Sequence, residues 1–225
     1  MNITKEKKAE LLNLLYSKKL FGIEYIHQFN FKAVKNNKNK LPIKINELEA
    51  YVNNCSLCEL YKSKISTSFG NGNLYSKIFF ITFNAQLETE KEFKSIKDMI
   101  ETKLNLDIND IYMTNILKCN TKNYKSSLSC EVEKCLVYLE QQIDILKPEL
   151  IITFGEVFTN LMKNSDKIID VSGNLYMYKN VKVIPLMEFD FINKNPSYID
   201  KMNKDILKIK NILDRKWKKY YHICL

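Results

Sequence analysis

The chain has 225 residues, 45% of them hydrophobic, with 13 Tyr and 12 Phe; this supplies one buried core, excludes a disordered chain and leaves little room for two full domains. Its formal net charge of +9 is uneven: residues 1–40 hold nine Lys against three Glu, and residues 201–220 eight Lys or Arg against two Asp. Such basic flanks either track phosphate backbones or are the solvated faces of a Lys-rich chain.

Leu11, Leu12, Leu14 and Leu15 recur at helical spacing up to Gly22, and FKAVKNNKNKLPIK is a polar linker closed by Pro42. The organisation expected is a basic helical N-terminal extension and linker over 1–40, then one domain over 41–225 that ends in a basic helix. INELEAYVNNCSLCEL reads as a helix running into a tight Cys pair. Four β-branched or aromatic runs follow, at 76–83, 110–117, 149–155 and 181–186. Helical periodicity lies between them in ETEKEFKSIKDMIETKL, SCEVEKCLVYLEQQIDIL and EVFTNLMKN, and after them in a long segment with Pro196 near its first turn. Strands alternating with helices predict a three-layer α/β/α sandwich around a four-stranded parallel sheet. No apolar run of about 18 residues occurs and the first residues are charged, so neither a spanning helix nor a secretory leader is expected. The expectation is a cytoplasmic protein whose six Cys are reduced.

Cysteine spacing then matters. Two residues separate Cys55 from Cys58, while Cys119 closes a strand and fifteen residues separate it from Cys135, in a helix. Two such pairs converging in space suit either a structural zinc site or a 4Fe-4S cluster. Cys130 and Cys224 read as unliganded, with Cys130 a substitute for the fourth position.

CSLCEL, the strand KIFFITF, then DIYMTNILKC and EVEKCLVYLEQQIDILKPELIITFGE resemble the iron-sulfur (family 4) uracil-DNA glycosylases from about residue 45 to 213. The resemblance implies a 4Fe-4S cluster on Cys55, Cys58, Cys119 and Cys135, and DNA as the partner, single-stranded or with a base flipped from a duplex, bound by a monomer. Asn115 stands where the family Asn reads the Watson–Crick edge of uracil, as an amide that donates and accepts can.

Two catalytic stretches depart from the family. Where it has Gly-Glu-Ala-Pro-Gly this chain has Thr82, Phe83, Asn84, Ala85 and Gln86, which leaves Phe83 and Asn84 as the base-binding positions beside Asn115. Phe93 is a possible equivalent of the Phe that stacks on the base. Where the family has His-Pro-Ser, Glu188, Phe189 and Asp190 stand in register; the other register, on Asn195 to Ser197, also lacks the His. A neutral His there would stabilise the charge that develops on uracil, whereas an ionised carboxylate would repel it. Glu188 and Asp190 remain the candidate catalytic residues, Glu188 only if burial keeps it protonated. His27 and His222 match no motif.

Three readings follow: a base-excision repair glycosylase using Glu188 or Asp190, a non-catalytic iron-sulfur protein that binds DNA or senses damage, or a structural protein whose cluster staples the fold.

Overall fold

The computed structural model describes residues 41–84, 90–121 and 129–221. In chain order its elements are α1 (Ile45–Asn53), β1 (Lys64–Thr67), β2 (Asn71–Gly72), β3 (Ile78–Thr82), α2 (Glu90–Asp98), β4 (Tyr112–Asn115), β5 (Cys119–Thr121) and α3 (Ser129–Leu146). After these come β6 (Leu150–Phe154), α4 (Val157–Met162), α5 (Ile168–Val171), β7 (Tyr176–Tyr178), β8 (Val181–Leu186), α6 (Phe189–Lys194) and α7 (Ile199–Tyr221). The expected N-terminal extension, with His27, lies outside the described residues, as do Ala85, Gln86, His222 and Cys224.

The four apolar runs form β4, β3, β6 and β8, side by side and parallel. All four are short and almost wholly buried, as strands covered on both faces must be. Successive side chains alternate between the faces. Phe79, Ile81, Tyr112, Ile151 and Val183 pack against α1, α3 and α4 on one side. Ile78, Phe80, Met113, Ile152 and Ile184 meet α2, α6 and α7 on the other. Two cores separated by one sheet make the three-layer sandwich that the sequence predicts.

The sheet is wider than the four strands expected. Its order is β2-β4-β3-β6-β8-β7, six strands, with β2 and β7 added antiparallel at the edges. These additions span two and three residues, too few to show a period of two in sequence. A separate two-stranded ribbon pairs β1 with β5, bringing the chain just after Cys58 beside the strand that opens with Cys119.

Residues 99–103 continue α2 as one π-helical turn, which buries Met99 and Ile100 beneath the sheet. On α7, Met202, Ile206, Ile209 and Leu213 enter the core while Lys204 and Lys208 face solvent. Buried Asp205 accepts from Ser172 Oγ at 2.9 Å and pairs with Lys201 at 2.9 Å and Lys208 at 3.1 Å, tying this helix to the end of α5.

Candidate base-binding cleft and cysteine centre

Cys55 and Cys58 follow α1, Cys119 opens β5, and Cys135 lies on the inner face of α3. None is in a disulfide. Cys58 feels the charge of Cys55, Cys119 that of Cys58 and Cys55, and Cys135 that of Cys119 and Cys58. Four thiols from three elements therefore share one neighbourhood. Burial pushes Cys58 and Cys119 above the ordinary thiol value and Cys135 up to about 12, so these thiols hold their protons at neutral pH unless a metal displaces them.

Donors already point at the sulfurs. Tyr138 Oη donates to Cys55 Sγ at 3.1 Å, the Lys118 N–H to Cys135 Sγ at 3.3 Å and the Leu57 N–H to Cys55 Sγ at 3.5 Å. Such bonds stabilise thiolates and tune metal–thiolate centres. The donor set fits a thiolate-ligated group. Among the described residues, however, no group of three or more His, Cys, Asp or Glu side chains is ready to hold a metal ion. Cys130 is exposed at the first turn of α3.

On the other face a cleft of about 260 Å³ runs between α2 and the β2–β4 edge. Phe93 and Lys97, one helical turn apart, form its outer wall, and Ser68, Asn71 and Gly72 the opposite one. Ile111, Met113, Thr114 and Asn115 supply the floor, and Thr82 closes the end where β3 and β4 stop in register. Among the described lining residues there is one cation, Lys97, and no carboxylate. Lys97 has only a loose partner in Glu101, at 3.8 Å.

Asn115 is 4% exposed. Assigned from its hydrogen-bond network, the amide donates to Ser68 O at 3.2 Å and Leu117 O at 3.1 Å, while its oxygen accepts from Ser68 Oγ at 3.1 Å. Both N–H groups are thus spent on backbone, and the oxygen keeps one lone pair for a ligand N–H. Asn115 both closes a strand end and faces a cleft.

The other candidate site residues stand apart. Phe83 packs against the core on the cysteine side, its carbonyl accepting from the Leu117 N–H at 3.0 Å, and Asn84 accepts through its carbonyl from Thr82 Oγ1 at 3.3 Å. Glu188 caps α6 half-buried, its carboxyl laid over Gly155. Gly155 has φ +56°, and a Cβ there would sit 2.1 Å from Glu188 Oε1. Asp190 is exposed on the first turn of α6. Neither carboxylate is among the described residues that line the cleft.

Sequence reasoning missed Ser68, Asn71, Thr82 and Lys97 as cleft residues. It also missed Lys118, whose one signal was a Lys set between Leu117 and Cys119 in an otherwise apolar strand end.

A parallel sheet between helices, with a cleft near its strand ends and four neighbouring thiols on the other face, defines a doubly covered α/β protein of the kind that places ligand sites at the carboxyl ends of its strands. The profile of the Uracil DNA glycosylase superfamily matches residues 69–213, and the chain belongs to that family. It is 25% identical to the type-4 uracil-DNA glycosylase of Sulfurisphaera tokodaii over 185 residues, covering 75% of this chain and 84% of that one. Its identity to the type-4 uracil-DNA glycosylase of Saccharolobus solfataricus is 29% over 184 residues, or 73% and 84% of the two chains. With the enzyme of that name from Archaeoglobus fulgidus it shares 25% over 189 residues, 76% and 94%.

Proposed function

We propose that this chain is a uracil-DNA glycosylase-like protein of DNA repair that works in the cytoplasm as a monomer. It holds one base of single-stranded DNA, or one flipped from a duplex, in the cleft at Asn115. The observation that carries the reading is the lone pair of Asn115 Oδ1 facing a cleft with one aromatic wall, one cation and no carboxylate among its described lining. The N3–H of uracil suits that acceptor, Phe93 offers a stacking face, and Lys97 favours negative charge nearby. The basic stretches at residues 1–40 and 201–220 would follow the phosphates.

Cys55, Cys58, Cys119 and Cys135 would hold a 4Fe-4S cluster, whose contribution is a covalent staple joining α1, β5 and α3. The N–H and O–H donors on Cys55 and Cys135 would balance the charge of the thiolates.

Hydrolysis is the weak part of the inheritance. The positions in register with the family's water-positioning Glu and base-facing His are Phe83 and Glu188, and the Glu188 carboxyl lies on Gly155. The expected activity on uracil is therefore weak or absent, with recognition kept. The test is excision from a single-stranded oligonucleotide with one uracil, by cluster-intact native protein beside Glu188→His. Tight uracil-dependent binding without excision supports the reading; efficient excision by the native chain would restore Glu188 or Asp190 to a catalytic role. Equal binding of strands with and without uracil would remove the base-pocket assignment.

A further inference from the structure

We infer that Lys118 is a positioning residue for base choice, and the inference rests on reading the cleft as a base pocket. Lys118 is 1% exposed. Its Nζ donates to Gln142 Oε1 at 2.6 Å, to Thr114 Oγ1 at 2.7 Å and to the Phe69 carbonyl at 3.2 Å. Three acceptors match the three donors of an ammonium group, and none of them is a carboxylate. Burial costs such a cation heavily, whereas an apolar chain of the same length would pack there without that cost.

The expense is concentrated on one carbonyl. Phe69 O also accepts from Thr114 Oγ1 at 2.8 Å and from Gln142 Nε2 at 2.9 Å. Gln142 Nε2 donates as well to Tyr112 Oη at 3.1 Å. The backbone of Lys118 grips the preceding residue, its carbonyl accepting from the Ser68 N–H at 2.8 Å. Residues 68–70 belong to no strand, so this network holds them where a sheet ladder does not.

What is held is the wall of the cleft and its reader. Ser68 engages the Asn115 amide, Asn71 and Gly72 line the cleft directly, and Thr114 and Asn115 are its floor. Lys118 thus fastens residues 68–70, the part of the wall outside the β2–β4 ladder, to the β4 floor from behind the sheet. It sets the direction of the one free lone pair on Asn115 without touching the ligand. A shift of about an ångström would stretch or misalign the bond from a base N–H to that acceptor, because hydrogen bonds weaken with length and off axis.

The experiment uses the full chain and single strands that differ at one position, uracil, thymine or cytosine, with affinities measured over a salt series. Native protein is expected to favour the uracil and thymine strands, which share the N3–H, over the cytosine strand by about tenfold, the scale of one well-placed polar contact. Lys118→Met should reduce that ratio to within about twofold while leaving the salt slope unchanged, since the slope counts phosphates and not bases. A variant that melts earlier and binds every strand more weakly, with the native ratio intact, would overturn the inference. Should Lys118→Met fail to fold, Gln142→Leu removes an acceptor of the same network away from the cysteine strand, and the same two outcomes decide. A native protein with no base preference ends the base-pocket reading and this inference with it; loss or retention of preference in the variants alone judges Lys118.

Discussion

On one face of the sheet, four thiols from three elements stand in one neighbourhood, backed by Leu48, Val52, Tyr138 and Leu139. At the strand ends, Glu188 rests on Gly155, Asp190 is exposed, and Phe83 turns toward the cysteine-side core. The first region is over-determined, since each cysteine must satisfy the packing of a helix or ribbon and its three fellow thiols. In the second, Asp190 is exposed and Glu188 and Phe83 are half-buried. If Glu188 to Asp190 do stand where relatives keep His-Pro-Ser, the start of α6 is a place where chemistry can change at small cost to the architecture.

The sharpest way to break this contrast is Cys135→Ala. If the cysteine face is the staple, the variant should lose the visible absorption of an iron-sulfur centre and melt lower by at least 10 °C, roughly 3–5 kcal/mol at about 2–4 °C per kcal/mol for a domain of this size. Calorimetry and absorption on anaerobically purified protein check it. A shift of only a degree or two would make Cys135 an ordinary core residue.

Next in size is Gly155→Ala. Positive φ and a Cβ driven into the Glu188 carboxyl should cost about 2–3 kcal/mol. Urea denaturation measures it, and in a Glu188→Ala background about half the loss should disappear, because the steric part goes and the backbone part stays. No recovery would mean that Glu188 does not occupy that seat in solution.

Smaller still is Asn115→Ala, which should cut the preference for uracil over cytosine by about tenfold, roughly 1.4 kcal/mol, while changing affinity for a strand with cytosine at that position by less than twofold. Last comes Glu188→Ala, expected to leave uracil-strand affinity within about twofold of native, since the carboxylate is not among the described cleft residues. A large loss of binding there would bring the strand-end loop into the recognition site and erase the distinction between the two regions.

Much of the fold was legible because it rests on periodicity. Runs such as KIFFITF and ELIITF announce doubly covered strands, and SCEVEKCLVYLEQQIDIL becomes α3 from Ser129 to Leu146. The edges were not legible, because Asn71–Gly72 and Tyr176–Tyr178 pair only through neighbours already in place. The same division holds for the site. Cys spacing and Asn115 could be read locally, whereas Lys118 reads as a solvated lysine until α3 brings Gln142 over it. Glu188 follows β8 directly as the N-cap residue of α6, and nothing in its spacing discloses that its carboxyl turns to Gly155.

The short outer strands have a bearing on how the molecule keeps company. β2 offers a second chain two residues of ladder and β7 three, and each already runs against the direction of the strands it flanks. Growth of the sheet from copy to copy would gain few hydrogen bonds at either margin, a device that guards against stacking into fibrils. The β2 margin also borders the cleft, so the same brevity keeps the rim of the candidate site from serving as a template for another copy's strand.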